Sequence, residues 1–537
     1  MGHIALFRRA VLFCGALLVM ANFMEGQDRS QMRSMVISRN GIVASESPLA
    51  SQAGVRILEA GGNAVDAAIA SNAMMGVVAP MMNGLGGDLF AMVYDAKANK
   101  LYGLNASGWA PKALTIDALH KQGLRKMPQV GVNSITVPGA VEGWQKLSDK
   151  FGRKKLSEDL APAIQTAKNG YPVTEWVAMY WAGETDYLRG DAEATRVYLP
   201  NDHPPKTGEI FRNTDLAWSL EQIADHGRDA YYQGELGKRI LEAMKKHGGP
   251  MTAADLAEFS AEWVEPISTS YRDWTVYEIP PNGQGLAALM MLNIMETFAL
   301  GSKDYGFASA KALHAMIEAK KLAYADLVKY VGDPRGQTLP VGTLLSKEHA
   351  AERAKLIDPD HANCEVTTGT LPGAGDTTYL SVVDRDGNMV SLIQSNYSGF
   401  GSGIVAEGTG FALQNRGGLF NLDPDSPNAS RKKAPSAYHH SGLCTEGRHP
   451  DGLRDYGWLE SITGARAVHR QPGGLQDEYP GRSRGAAFHQ THVRRLRPAD
   501  GEPYFGQNPR RAGREGTQDS SHGNLYVCRG WWPSRAP

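Results

Sequence analysis

The run Gly375-Asp376-Thr377-Thr378-Tyr379-Leu380-Ser381-Val382-Val383-Asp384-Arg385-Asp386-Gly387-Asn388-Met389-Val390-Ser391 leaves little choice of local structure. Two β-prone segments flank Asp386-Gly387, a dipeptide suited to a tight hairpin turn. The first segment opens on adjacent threonines behind the loose, Gly-rich Gly373-Ala374-Gly375-Asp376. A hydroxyl at the head of a buried strand, behind a loop that can be cut, is what an N-terminal nucleophile requires. Scission of the Asp376–Thr377 bond gives Thr377 a free α-amine beside its hydroxyl. The ordinary pKa of that amine, about 7.7–8.0, lets it serve as base near neutral pH. The plainer alternative is a hairpin whose threonines are there for β propensity alone.

The segment after the hairpin bears on that choice. Gln394-Ser395-Asn396-Tyr397-Ser398-Gly399-Phe400-Gly401-Ser402-Gly403-Ile404-Val405 leads to Gly408-Thr409-Gly410-Phe411-Ala412-Leu413-Gln414-Asn415-Arg416-Gly417. With its Thr-Thr start, its Val-Val-Asp-x-Asp-Gly-Asn hairpin and its Phe-Gly-x-Gly-Ile-Val loop, the chain resembles the γ-glutamyltranspeptidase family of N-terminal nucleophile hydrolases. The resemblance runs over roughly residues 36–420. It includes Ala60-Gly61-Gly62-Asn63-Ala64-Val65-Asp66-Ala67 near the start of the family's large subunit. It implies an α+β fold, a four-layer αββα sandwich with helices on both faces of two stacked sheets. It also implies self-cleavage at Asp376–Thr377 into large and small subunits of one precursor, with no cofactor and no metal. Thr377 is then the expected nucleophile, and Ser395 matches the family threonine that hydrogen-bonds it; a plain strand serine is the alternative.

Substrate recognition is expected to depart from the family pattern. Asn105-Ala106-Ser107-Gly108-Trp109-Ala110-Pro111 places Ser107 where glutathione-type members hold the γ-glutamyl carboxylate with an arginine. A serine cannot make the bidentate guanidinium–carboxylate pair. The acidic residue that usually receives the substrate amine is missing from Gln414-Asn415-Arg416-Gly417-Gly418-Leu419. Arg416, with Asn415 beside it, is the candidate receiver of a substrate carboxylate, against the alternative of a solvated surface arginine. The expected partner is a small-molecule amide. A γ-glutamyl donor such as glutathione is the family default, with oxamate or a β-lactam acyl side chain as the alternative.

Residues 1–21 combine a basic head (Arg8, Arg9) with an apolar run from Ala10 to Met20 and small residues at cleavage spacing. This reads as a secretory signal, too short to span a bilayer, and places the product in the periplasm or outside the cell. The alternative is a buried N-terminal helix. The 56 basic and 57 acidic residues balance to a net charge of −1, which gives no electrostatic reason to expect nucleic acid or stable membrane association. The four cysteines make no disulfide framework and no Cys/His spacing implies structural zinc. Asn83-Gly84-Leu85-Gly86-Gly87-Asp88 is Gly-rich, but it precedes a strand and lacks the Lys-Ser/Thr of a phosphate loop.

The expected elements are a strand over Val36–Ala44, a helix entered at Ser47-Pro48 and a small-residue helix over Ala64–Val78. A strand over Leu89–Tyr94 and another from Asn133 that breaks at Pro138-Gly139 come next, then helices over Leu156–Lys168, Asp215–His226, Leu236–Lys246, Leu286–Phe298 and Ala308–Tyr330. Residues 22–376 thus form a large subunit and 377–430 the start of a small one. From about residue 431 the composition shifts: 31 of 107 residues are apolar, with fifteen arginines, seven histidines and no lysine after Lys433. No helical or alternating period persists there, so 431–537 is expected to be irregular, an out-of-frame or replaced segment or a divergent polar extension. Pro472-Gly473-Gly474 is its one candidate for oxyanion donors. A chain that has lost its closing catalytic strands would be inactive, which is the alternative from outside the enzyme class.

Overall fold

In this computed structural model the described residues are 36–366 and 376–429, with the backbone of two short strands at 442–446 and 456–457. The chain divides into a unit of residues 1–39 and a unit of residues 40–537, the second of which holds both large sheets and their helices. The signal-like residues 1–21 and Pro472-Gly473-Gly474 lie outside the described residues.

A six-stranded antiparallel sheet positions the site. Its strands are β1 (Gly41–Ser45), β2 (Asp88–Asp95), β3 (Lys100–Ala106), β4 (Glu262–Val264), β7 (Asp376–Asp384) and β8 (Met389–Tyr397). They lie in the order β1-β7-β8-β2-β3-β4. A second antiparallel sheet joins β5 (Ile267–Tyr271), β6 (Trp274–Glu278), β9 (Gly442–Glu446) and β10 (Tyr456–Gly457) in the order β10-β9-β6-β5. Strands β9 and β10 fall where the sequence implied an irregular tail, so that expectation is corrected for these residues: β9 runs antiparallel to β6 with Gly442 opposite Glu278.

The alternation along β2 explains why its whole length is apolar. Leu89, Ala91 and Val93 enter the main core, whereas Phe90, Met92 and Tyr94 join Tyr379, Ile393 and Ile279 in a separate cluster on the other face. A strand covered on both sides has no polar face to display. The main core also takes in helices α1 (Pro48–Glu59) and α2 (Ala64–Val78). Every residue of α2 is buried, and its alanines let it lie close against β7, β8 and α1. Asn63 caps it and Asp66 returns the capping bond to the Asn63 N–H, satisfying donors that a buried helix start would otherwise strand. Helices α3 (Ala140–Phe151), α4 (Leu156–Asn169), α5 (Thr214–His226) and α6 (Glu235–Lys246) extend this layer. On the second sheet, α7 (Gly285–Glu296) packs against β5 and β6, and α8 (Ala310–Tyr330) against α7.

Two sequence expectations shift. The first strand begins at Gly41, because Val36 and Ile37 are exposed. Residues 133–137 form no strand; a short 3₁₀ turn over Val132–Ser134 leads into an extended segment before α3. Cys364 is disulfide-bonded, a role the sequence pattern did not assign to it.

The hairpin turn is tied to the rest of the fold by one carboxylate. Asp384 accepts from its own turn at the Asp386 N–H (2.9 Å), the Asn388 N–H (3.0 Å) and the Asn388 side-chain amide (2.8 Å). It also accepts from the Ala64 N–H at the start of α2, 3.0 Å away. The Asp-x-Asp-Gly-Asn motif is thus both a turn and an anchor for a buried helix. Gly387 takes φ +84°, the left-handed conformation this turn requires.

Candidate active site

Thr377 sits at the head of β7, half-buried, and Ser395 lies wholly buried near the end of the neighbouring β8. The Thr377 hydroxyl donates to Ser395 Oγ at 3.2 Å. Ser395 Oγ also accepts from the Tyr397 N–H at 2.7 Å. These residues share the face that carries Tyr379, Ile393 and Phe90, with Ser395 directly opposite Asp88 of β2. The pairing of β7 with β8 slips between Gln394 and Tyr397, and Tyr397 takes φ +81°. That irregularity turns the Tyr397 N–H back onto Ser395.

The floor of the site is the Gly-rich turn before β2. A Cβ at Gly86 would stand 2.1 Å from the Ala412 carbonyl oxygen, and one at Gly87 2.5 Å from that of Ser395. The turn is glycine because two chain segments press onto it, which replaces the phosphate-loop question with a packing answer. The Gln414 N–H donates to the Gly86 carbonyl at 2.9 Å. Gln394, fully buried, donates to the Gly84 carbonyl at 2.6 Å and accepts from the Asn83 amide at 3.0 Å.

The three candidate substrate contacts lie apart from one another in role. Asn415 is wholly buried: its amide nitrogen donates to the Gln129 carbonyl at 2.6 Å and its oxygen accepts from the Ser398 N–H at 3.1 Å. Both ends of the side chain are engaged by backbone, so it braces the loop and is not presented to a ligand. Arg416 is neither a surface residue nor open to substrate. It is 0 % exposed and paired with Asp88, also 0 % exposed, at 2.7 Å and 3.3 Å. Its guanidinium lies 4.7 Å from the centre of the Tyr397 ring. The sequence could not pair these two because 328 positions separate them. The only signal was an aspartate set immediately before an apolar strand.

Ser107 is buried and accepts from the Asn282 amide at 3.2 Å, while Asn105 donates to the Asn282 oxygen at 2.8 Å. These residues line a small, partly open pocket with Trp109, Phe259 and Arg335, with room for about one water molecule. Arg335, which no sequence motif singled out, lies 5.0 Å over the Trp109 ring and forks onto Asp333, with Nε and Nη2 to the two carboxylate oxygens at 3.0 Å and 2.6 Å. Glu262 stands 3.5 Å from its Nη1. The cavity therefore holds a guanidinium although position 107 does not supply one. Among the described residues no group of three or more His, Cys, Asp or Glu is placed to hold a metal ion, and no helix is long and apolar enough to cross a membrane. Asp376 is the first residue of β7, so the bond expected to be cut joins the first two residues of that strand.

Known proteins resemble this chain over most of its length. The family described as Gamma-glutamyltranspeptidase matches residues 50–441. The "Glutathione hydrolase-like YwrD proenzyme" of Bacillus subtilis (strain 168) is 37% identical over 422 residues, covering 78% of this chain and 78% of that protein. The "Oxamate amidohydrolase proenzyme" of Klebsiella pneumoniae is 35% identical over 399 residues, covering 73% of this chain and 74% of its own. Among solved structures, cephalosporin acylase from Bacillus halodurans aligns with a TM-score of 0.72 at 43% identity, over 79% of this chain and 78% of that one.

Proposed function

This chain belongs to the gamma-glutamyltranspeptidase family, and from that premise we propose that it is a self-cleaving amidohydrolase or acyltransferase with Thr377 as nucleophile. The observation that carries the assignment is the Thr377–Ser395 contact of 3.2 Å at the head of a central strand. The Bacillus subtilis and Klebsiella pneumoniae relatives are named as proenzymes, which accords with processing into two subunits.

In maturation, Thr377 Oγ attacks the Asp376 carbonyl carbon. The C–N bond breaks, the nitrogen takes the proton as the new α-amine, and water hydrolyses the resulting ester. In turnover the same hydroxyl attacks a substrate amide while the α-amine takes its proton and hands it to the leaving nitrogen. The acyl group then passes to water or to an amino acceptor. Oxyanion charge in each step requires aimed N–H donors.

For the acyl group, relatives at comparable identity carry glutathione hydrolase, oxamate amidohydrolase and acylase names. A γ-glutamyl group is the family default. We infer that oxamate-like or acyl side-chain amides fit this chain better, because Ser107 is short and Arg416 is committed to Asp88. We also infer a four-layer αββα stacking, supported by the apolar cluster that joins Phe90 and Tyr379 to Ile279 of the second sheet's segment. Export to the periplasm or medium through residues 1–21 is proposed on their composition, and cell fractionation with N-terminal sequencing of the large fragment tests it.

The second reading, an inactive chain, draws on the compositional change after residue 430. One experiment separates the two. On a denaturing gel the competent chain yields two fragments split at Asp376–Thr377, with Thr377 at the new N-terminus, and Thr377→Ala stays whole. A single uncut wild-type band supports the inactive reading.

A further inference from the structure

A wholly buried arginine–aspartate pair beside the nucleophile is left without a task by the chemistry above. Arg416 forks onto Asp88, and Asp88 stands directly opposite Ser395 in the β8–β2 register. The same guanidinium lies against the Tyr397 ring at 4.7 Å. Tyr397 holds φ +81°, a backbone state that side chains other than glycine avoid unless their surroundings impose it. In that state its N–H points to Ser395 Oγ, which in turn accepts from Thr377. A buried ion pair is a poor source of stability when compared with apolar packing, and its better-attested use is to specify one arrangement.

We propose that Asp88 and Arg416 are positioning residues for the nucleophile: they clamp the Tyr397 ring, thereby hold the left-handed Tyr397 backbone, and through its N–H and Ser395 set the direction of the Thr377 hydroxyl. This rests on the reading of Thr377 as nucleophile. Planarity matters to the clamp. A guanidinium can meet a carboxylate along one edge and an aromatic ring on its face, which an ammonium cannot.

Self-cleavage of the precursor is the measured reaction, since it needs no external substrate. Wild type and Thr377→Ala first establish that cleavage occurs and depends on Thr377; failure there overturns the functional reading and is distinguishable from failure of the clamp variants. Tyr397→Leu keeps bulk without an aromatic face, whereas Tyr397→Phe keeps the face. Tyr397→Leu is expected to slow cleavage about five- to tenfold, within the effect of losing the Ser395 hydroxyl itself, with the precursor's thermal midpoint near that of wild type, and Tyr397→Phe to remain within about twofold. The double variant Asp88→Asn/Arg416→Gln leaves no lone buried charge and is expected to slow cleavage as Tyr397→Leu does. Arg416→Lys should not restore the rate. Wild-type rates in Tyr397→Leu or in the double variant, or equal slowing by Phe and Leu, overturn the proposal.

Discussion

Replacing Ser395 by alanine separates two effects that meet at one oxygen. Ser395 Oγ accepts from the Tyr397 N–H at 2.7 Å and from the Thr377 hydroxyl at 3.2 Å. Tyr397 is 4% exposed, so its N–H loses an acceptor that water cannot readily replace. That loss costs about 1–3 kcal/mol of stability. The longer, neutral bond to Thr377 is worth about 0.5–1.5 kcal/mol. If its contribution is made in the proposed attack by Thr377, the rate falls about 2- to 13-fold. The assay is a time course of precursor cleavage on a denaturing gel, paired with denaturant midpoints of the Thr377→Ala precursor with and without Ser395→Ala. Ser395→Thr, which keeps the hydroxyl, should recover the rate. Cleavage of Ser395→Ala at the wild-type rate, or no recovery with Ser395→Thr, refutes the reasoning that this oxygen orients the nucleophile.

Other consequences are open to measurement. Gly87→Ala places a methyl 2.5 Å from the Ser395 carbonyl oxygen and should cost about 1–3 kcal/mol as overpacking, slowing self-cleavage because the end of β8 must move. Asp384→Ala removes the acceptor shared by the hairpin turn and α2 and should lower stability by about 3 kcal/mol or more, read from denaturant midpoints. Asp159 is wholly buried, neither of its carboxylate oxygens has a hydrogen-bond partner, and burial pushes its pKa up from 3.8 to about 9. The folded state therefore keeps a proton that the unfolded chain releases. Stability from this group is full below pH 4 and declines by up to about 1.4 kcal/mol per pH unit as pH rises toward 9. Asp159→Asn should flatten the fall in denaturant midpoint between pH 5 and pH 8, and an unchanged slope counts against the assignment.

Local chemistry made much of this molecule legible. The helix over Ala64–Val78 and the start of the Pro48 helix are where small-residue runs and capping residues place them. The hairpin follows from Asp386-Gly387 between β-prone segments, and Thr377 and Ser395 come together as neighbouring strands require. Long-range pairing escaped. Nothing near Arg416 announces Asp88, and an arginine in a loop reads as exposed until its partner is known. Asn415 gives no local sign of its backbone partners either, since Gln129 lies far away in sequence. The strand Gly442–Glu446 has no partner in its own neighbourhood and is defined by its register on β6. The cavity beside Ser107 draws its guanidinium from position 335, beyond the reach of any motif around residue 107.

The order β1-β7-β8-β2-β3-β4 bears on the life of the protein after the proposed scission between Asp376 and Thr377. The two strands just past the cut would be flanked on one side by Gly41–Ser45 and on the other by Asp88–Asp95, both from the piece before it. Neither fragment would then own a complete sheet, and parting them means unzipping these two ladders and the β6–β9 ladder of the second sheet. The halves should travel as one particle through any non-denaturing column. Separately expressed halves that reassemble would offer a route to activity without a processing event.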